Sequence, residues 1–492
     1  MNPTMKLQIS NLKAPITTHE MTKTAPQPMT DTMTATAPTT EGIIPFTPNL
    51  TGYDLTDVGN SERLHTYAGT TFHYVSGPGQ WLRWNDQRWE FDNNGSITRL
   101  FVEVMKITAG QVTTMTDYKQ AEAISRYCYQ SMNNQKIAAG LKLLKSIEGV
   151  TITVNDLDAD PWMLGTEDGM IDLKTGVPIT PVRSKLITKK IGTSYDAAAT
   201  CPLWEKFLHT VTAGDAELIQ YLKTAVGYTL TGSTRDQCLF FLYGSGQNGK
   251  GVFSETIKRL LGDYGQVAPE SMFMTDRNQS ATNDVARLTG CRMAIAAELE
   301  EAATFAEAKI KRLTGGDTIT ARFLHQEYFD FTPTHHFWIS GNHKPAIKGS
   351  DHGIWRRIRL IPFHAQITNA EKDPDLVEKL AQELPGILNW ALAGCMDWQR
   401  DGLRTPQCVT DATEQYRTEE DIIGQFLSER ITELSGERVL QTSVYQAYQG
   451  WAEEEGIKRS MQAKAFNRQL EERGFKRLQS GGARFWLDIF LK

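Results

Sequence analysis

The sequence predicts an α/β protein: a core of mainly parallel strands, preceded by an α+β unit and followed by a basic helix-and-wing module. Three observations lead there. An apolar run, Cys238 to Leu242, passes directly into the glycine-rich stretch GSGQNGK and then into an amphipathic helix from Val252 to Leu261. Further apolar runs at 293–297, 336–340 and 358–363 alternate with helical or polar segments, the rhythm of a parallel sheet covered by helices. From Lys458 to Lys492, nine lysines and arginines stand against three acids, on a chain whose net charge is −6.

A chain of 492 residues is longer than one hydrophobic core sustains, so several units are expected. Composition is 40% hydrophobic and 22% charged, ordinary for a globular protein, so any nucleic-acid site must be local. Cys128, Cys201, Cys238, Cys291, Cys395 and Cys408 form no CxxC pair and no cysteine–histidine group at metal-ligand spacing. That argues against a zinc ribbon and a disulfide framework, and for buried thiols in a reducing compartment. No segment approaches the roughly 18 apolar residues of a membrane span, so no membrane partner and a cytoplasmic location are expected.

Residues 1–45 are rich in Thr, Met and Pro, lack a hydrophobic period and are expected to be a disordered tail. Residues 50–197 form the α+β unit. Its stretch FHYVSGPGQWLRWNDQRWEF alternates aromatic and polar residues around turn signals, as an antiparallel hairpin does, and helical periodicity runs from Asp117 to Ile147. Trp81, Trp84 and Trp89 are explained by that alternation as a small core; base-stacking platforms are the alternative. The core spans 200–370, with helices at Leu203–Val211 and Ala216–Leu222 before the central strand. A helical linker follows at 371–420, then the basic unit at 421–492.

Gly244, Ser245, Gly246, Gln247, Asn248, Gly249 and Lys250 satisfy GxxxxGK. Glycines let backbone N–H groups close on phosphate oxygens, and the lysine adds a point charge for the terminal phosphates of ATP. The spacing alone is a weak signal; its place between an apolar strand and a helix N-terminus makes it a strong one. Gly251 stands where Ser or Thr would bind Mg²⁺, so the metal must lean on acids, on water or on Ser254. Glu298, and next to it Glu300, follow the apolar run CRMAIAA and are the candidates to hold Mg²⁺ and orient a water. An acidic helix start is the structural alternative. Asn342 ends the next strand and can contact the γ-phosphate. Arg356 and Arg357 precede the last strand, where a guanidinium can reach a neighbouring subunit's nucleotide.

Taken in order, GSGQNGKG, AIAAELEE, KRLTGGDTITARFL, WISGNHKP and GIWRRIRLIPF resemble the superfamily 3 helicases, and more narrowly the phage and plasmid primase-helicases related to the poxvirus primase-helicase. The resemblance covers about Leu55 to the C-terminus. It implies a ring-forming AAA+ ATPase, commonly a hexamer, that uses ATP and Mg²⁺ to move on single-stranded DNA and open forked DNA, with a separate primase among its partners and the bacterial cytoplasm as its location. It assigns Lys250 to phosphate, Glu298 to the acid of the second nucleotide motif, Asn342 to the sensor and Arg356 or Arg357 to the finger. It also makes Lys309, Lys311, Arg322 and His325 candidate channel contacts to DNA.

In the basic unit, Met461–Arg473 reads as a helix, Gly474 as a turn and Gly481–Gly482 as the tip of a wing. Lys464 and Arg468, four apart on one helical face, can reach DNA. Two functions follow: a replicative DNA helicase, or an origin-binding initiator or loader whose ATP site drives assembly without unwinding.

Overall fold

Five parallel strands organise the molecule: β1 (Leu239–Tyr243), β2 (Gly265–Val267), β3 (Met293–Ala297), β4 (His336–Gly341) and β5 (Ile358–Pro362), side by side in the order β5-β1-β4-β3-β2. The computed structural model describes residues 48–275, 282–297, 303–324, 327–347, 352–457 and 460–492. The elements described below belong to the compact unit Asn49–Lys492, and the expectation for residues 1–45 lies outside the described residues.

β1 is buried on both faces, which is why it reads as an unbroken apolar run. Its residues alternate between two cores. Phe240 and Leu242 face a cluster with Phe253, Ile257, Trp338 and Trp398, while Leu239 and Phe241 face one with Phe305, Ile310, Ile339 and Tyr416. The strands expected at 293–297, 336–340 and 358–363 are present within a residue; the three-residue β2 was not foreseen.

Helix α1 (Ala216–Leu230) runs eight residues beyond the expected end at Leu222. Its extension contains Gly227 and β-branched residues, which propensity disfavours, and is held by packing on helix α4 (Leu384–Asp401). A Cβ on Gly227 would lie 2.1 Å from the Cys395 nitrogen, and one on Gly394 2.0 Å from the Lys223 oxygen, so the two helices touch backbone to backbone. Between them in sequence lie α2 (Lys250–Leu261), which follows β1, and α3 (Glu307–Thr314), which precedes a hairpin of strands 319–321 and 329–331.

The N-terminal part has a four-stranded sheet, ordered 89–91, 80–84, 72–75 and 151–152, with helices around it. Trp89 is fully buried beside Val75 and Leu82, and its indole nitrogen donates to the Arg183 carbonyl at 2.9 Å; Trp81 and Trp84 are half-buried. The hairpin core thus accounts for Trp89. Two findings depart from expectation. Helix Ser96–Gln111 was not foreseen, although Ile97, Phe101, Val104, Met105 and Thr108 mark its buried face. The helix expected over 117–147 is two, Tyr118–Ser131 and Asn134–Leu144, because Asn133 caps the second by accepting from the Lys136 N–H.

The C-terminal part runs helix 422–430, strand 431–440, helices 441–454 and 463–472, then strands 477–480 and 483–491. Gly481 (φ +58°) and Gly482 (φ +81°) form the two-residue turn between the last strands, a conformation that glycine meets without strain. Strand 431–440, which was not foreseen, pairs with 483–491. Asp421 fastens this part: it caps helix 422–430 through the Gly424 N–H and takes both ends of the Arg473 guanidinium. Burial alone would raise its pKa, but these hydrogen bonds leave the carboxyl below the usual carboxylate range.

Candidate nucleotide site

The glycine-rich loop 244–249 joins β1 to α2 at the C-terminal edge of the parallel sheet, between β5 and β4. Gly246 (φ +99°) and Gly249 (φ +85°) take the left-handed conformations that turn the loop, and Gly249 is the N-cap of α2. At Gly249 a Cβ would also lie 2.4 Å from Val211 Cγ1. The loop is braced from outside: Asn248 Nδ2 donates to the Phe363 carbonyl at 3.0 Å, and the Ile367 N–H to the Gln247 carbonyl at 2.9 Å. The bracing role of Asn248 was not foreseen; an amide facing the end of the neighbouring strand is visible only in three dimensions.

Lys250, 6% exposed, donates from Nζ to the Gly244 carbonyl (2.7 Å), to Asn248 Oδ1 (3.0 Å) and to Asn342 Oδ1 (3.0 Å). All three acceptors are neutral, and among the described residues no carboxylate pairs with it. Burial holds its pKa below the ordinary lysine value. A buried cation whose acceptors among the described residues are all neutral can pair with an anion that enters the site. Asn342 reaches it because β4 lies beside β1, with Gly341 opposite Tyr243.

Gly251 is exposed, and a Cβ there would meet nothing within 4 Å, so the absent hydroxyl reflects no steric bar. Ser254 is buried with no hydrogen-bond partner for its Oγ. Glu298 and Glu300 lie outside the described residues; β3, which precedes them, ends at Ala297, level with Ser340 and Leu242 at the edge that carries the loop. No group of three or more His, Cys, Asp or Glu that could hold a metal occurs among the described residues.

The arginine pair sits at the opposite edge. Arg356 and Arg357 precede β5, whose Ile358 pairs with Leu239 and whose Pro362 pairs with Tyr243. The length of β1, about 16 Å at strand rise, separates them from their own loop. The two differ. Arg357 is buried and donates to Thr314 Oγ1 (3.1 Å) and the Gly353 carbonyl (2.7 Å), whereas Arg356 is exposed and donates to Gln237 Oε1 (2.7 Å).

Of the channel candidates, Lys309 is half-buried with Nζ donating to the Ser271 carbonyl at 3.1 Å, and Lys311 is half-buried on the same helix, α3. Arg322 follows strand 319–321 and lies 4.8 Å over the Tyr328 ring; His325 lies outside the described residues. Lys464 and Arg468 are exposed on helix 463–472, where Arg468 also meets Glu472 at 3.4 Å. The structure thus joins Lys250, Asn248 and Asn342, and leaves the arginines and the basic helix apart from them.

Comparison with known families matches residues 61–213 to the D5 N-terminal-like model, 242–357 to a family of unknown function, and 418–477 to the poxvirus D5 protein-like model. Two segments of the chain, 61–213 and 418–477, are thus D5-like. Among relatives, the chain is 25% identical over 413 residues to "Putative helicase L207/L206" of Acanthamoeba polyphaga mimivirus, covering 76% of this chain and 43% of the relative. It is 27% identical over 253 residues to "Putative helicase 022R" of Frog virus 3, covering 47% and 26% respectively. With "Putative primase C962R" of African swine fever virus (isolate Tick/Malawi/Lil 20-1/1983) it shares 23% over 331 residues, 61% of this chain and 34% of that one. The chain therefore spans less than half the length of these relatives. Among solved structures, the apo NrS-1 C-terminal region superposes with a TM-score of 0.48 at 11% identity, covering 88% of this chain and 99% of that one. No described helix is long and apolar enough to cross a membrane.

Proposed function

We propose that the chain is an ATP-dependent DNA helicase of the ring-forming superfamily 3 type, with an AAA+ core and a C-terminal winged-helix module, acting in DNA replication. The observation that carries this reading is the buried Lys250 ammonium, whose acceptors among the described residues are neutral oxygens at the end of the central strand. The sheet order 5-1-4-3-2, the loop at its C-terminal edge and relatives named as helicases support it.

In this reading the loop amides and Lys250 take the β- and γ-phosphates of ATP, and Asn342, already on Lys250, lies where the γ-phosphate is sensed. Glu298 would hold Mg²⁺, which neutralises phosphate charge, and would orient the attacking water. Arg356, exposed and a strand's length from its own loop, serves the nucleotide of the next subunit in a homo-oligomeric ring. Lys309, Lys311, Arg322 and His325 would contact single-stranded DNA in the channel, and Lys464 and Arg468 duplex or forked DNA.

The deciding experiment is strand displacement on a forked DNA with ATP and Mg²⁺. Displacement by the wild type and none by Lys250→Ala is the expected result. The exposed basic helix with its adjoining hairpin favours a second reading, an origin-binding initiator or loader; hydrolysis stimulated by DNA without displacement would select it. No hydrolysis by the wild type would overturn the enzymatic reading of the loop.

A further inference from the structure

Gln237 stands one residue before the buried run that begins at Cys238, with φ +47°, a left-handed conformation rare for a residue with a side chain. Its amide is used at both ends. Oε1 accepts from Arg356 Nη2 at 2.7 Å and from Arg357 Nη2 at 3.5 Å, while Nε2 donates to the Gly315 carbonyl at 3.0 Å. Gly315 is the C-cap of α3, and four residues on begins strand 319–321 of the hairpin that carries Arg322. Arg357 reaches the same helix end through Thr314 Oγ1, and its own carbonyl accepts from the Leu239 N–H at 2.8 Å, which binds it to the start of β1. The turn is packed as well as bonded: a Cβ on Gly316 (φ +80°) would lie 2.9 Å from Thr234 Oγ1.

We propose that Gln237 is a positioning residue that relays between Arg356 and the hairpin, so that a change in the position of Arg356 is felt at the Gly315–Thr318 turn and hence at strand 319–321. The inference rests on the reading of Arg356 as the arginine that serves a neighbouring nucleotide. The chemistry requires an amide. A planar amide carries an acceptor at one end and a donor at the other, so one side chain holds a guanidinium and a main-chain carbonyl at once. A carboxylate keeps the first contact and opposes the second, since two acceptors then face each other. The strained backbone fits this role, because an extended residue at 237 would carry the amide away from the arginine.

Gln237→Glu, which is isosteric, separates the two halves of the relay. The experiment compares hydrolysis by the full chain with and without single-stranded DNA, together with hydrogen exchange of residues 319–324 and 327–331 with and without a non-hydrolysable ATP analogue. The wild type is expected to show DNA-stimulated hydrolysis and nucleotide-dependent protection of the hairpin. In Gln237→Glu the DNA-stimulated to DNA-free ratio falls toward one and the nucleotide-dependent protection disappears, while the melting temperature stays near that of the wild type. Gln237→Asn, which accepts the same backbone but is one methylene too short to span both partners, behaves likewise. Stimulation and hairpin protection retained in both variants overturn the relay and leave the ATPase reading intact. Hydrolysis absent from the wild type overturns that reading and the relay with it.

Discussion

Adjacent arginines with the same chemistry have opposite surroundings. Arg357 spends its donors on Thr314, Gly353 and Gln237, whereas Arg356 leaves one face to solvent beside Gln237. Removing Arg357 takes its buried guanidinium from the Thr314 hydroxyl, the Gly353 carbonyl and the Gln237 amide, so Arg357→Ala is expected to cost about 1–3 kcal/mol of folding stability. Arg356→Ala leaves stability within roughly 0.5 kcal/mol and, if it serves a neighbouring site, lowers hydrolysis by about a thousandfold. Denaturant titration alongside an ATPase assay reads both; a stable, fully active Arg356→Ala protein would remove it from the proposed mechanism. The sequence showed two arginines before a strand and no way to rank them, because burial is set by α3 and Gln237, far off in the chain. Lys250 stood out in the sequence as a candidate phosphate ligand, from its loop together with the strand and helix that flank it. Its contact with Asn342 was not, since it depends on β4 lying beside β1.

Where an element is long and periodic, the sequence revealed it; where tertiary contact overrides propensity, it misled. The clearest case is α1. Residues 223–230 include Gly227, Val226 and two threonines, poor helix formers that suggested an earlier end, yet they stay helical against α4. Propensity alone makes Gly227→Ala stabilising by about 1 kcal/mol. The structure reverses that sign: the new methyl would lie 2.1 Å from the Cys395 nitrogen and 2.7 Å from the Ala391 oxygen, both main-chain atoms of α4. The helices must part, and a loss of about 3 kcal/mol is expected in chemical denaturation. An unchanged or raised midpoint would mean that the backbone contact between α1 and α4 is not held in solution. Helix 96–111 is a different kind of miss: it is long and its buried face is periodic, yet no element was assigned between the aromatic hairpin and the periodicity that begins at Asp117.

At the scale of the whole molecule, the N-terminal part is seated on the sheet through a buried polar seam at the start of β3 and β4. Arg292, 1% exposed, donates to the carbonyls of Asp160, Pro161 and Met163, and its own carbonyl meets His336 Nδ1 at 3.1 Å, while His336 Nε2 faces the Ser233 carbonyl at 2.8 Å. His335 is buried against Phe337 with neither ring nitrogen hydrogen-bonded. Burial, with the neighbouring His336 adding to it, pushes His335 down to about 3; burial pushes His336 down to about 4 against the two carbonyls that favour its proton. Both rings are therefore neutral in the fold at pH 7, and between their folded pKa values and the ordinary 6.5 the unfolded chain binds more protons. Stability is full above about pH 6.5 and declines as pH falls toward 4. His335→Phe replaces an imidazole that makes no hydrogen bond with a ring suited to the Phe337 contact, and it removes one of the extra protons. The slope of unfolding free energy against pH in that window should fall by about 1.4 kcal/mol per pH unit, one proton's worth, and the acid midpoint should move lower. A slope unchanged in His335→Phe would mean that water reaches the seam and that the N-terminal part is less firmly seated than these contacts imply.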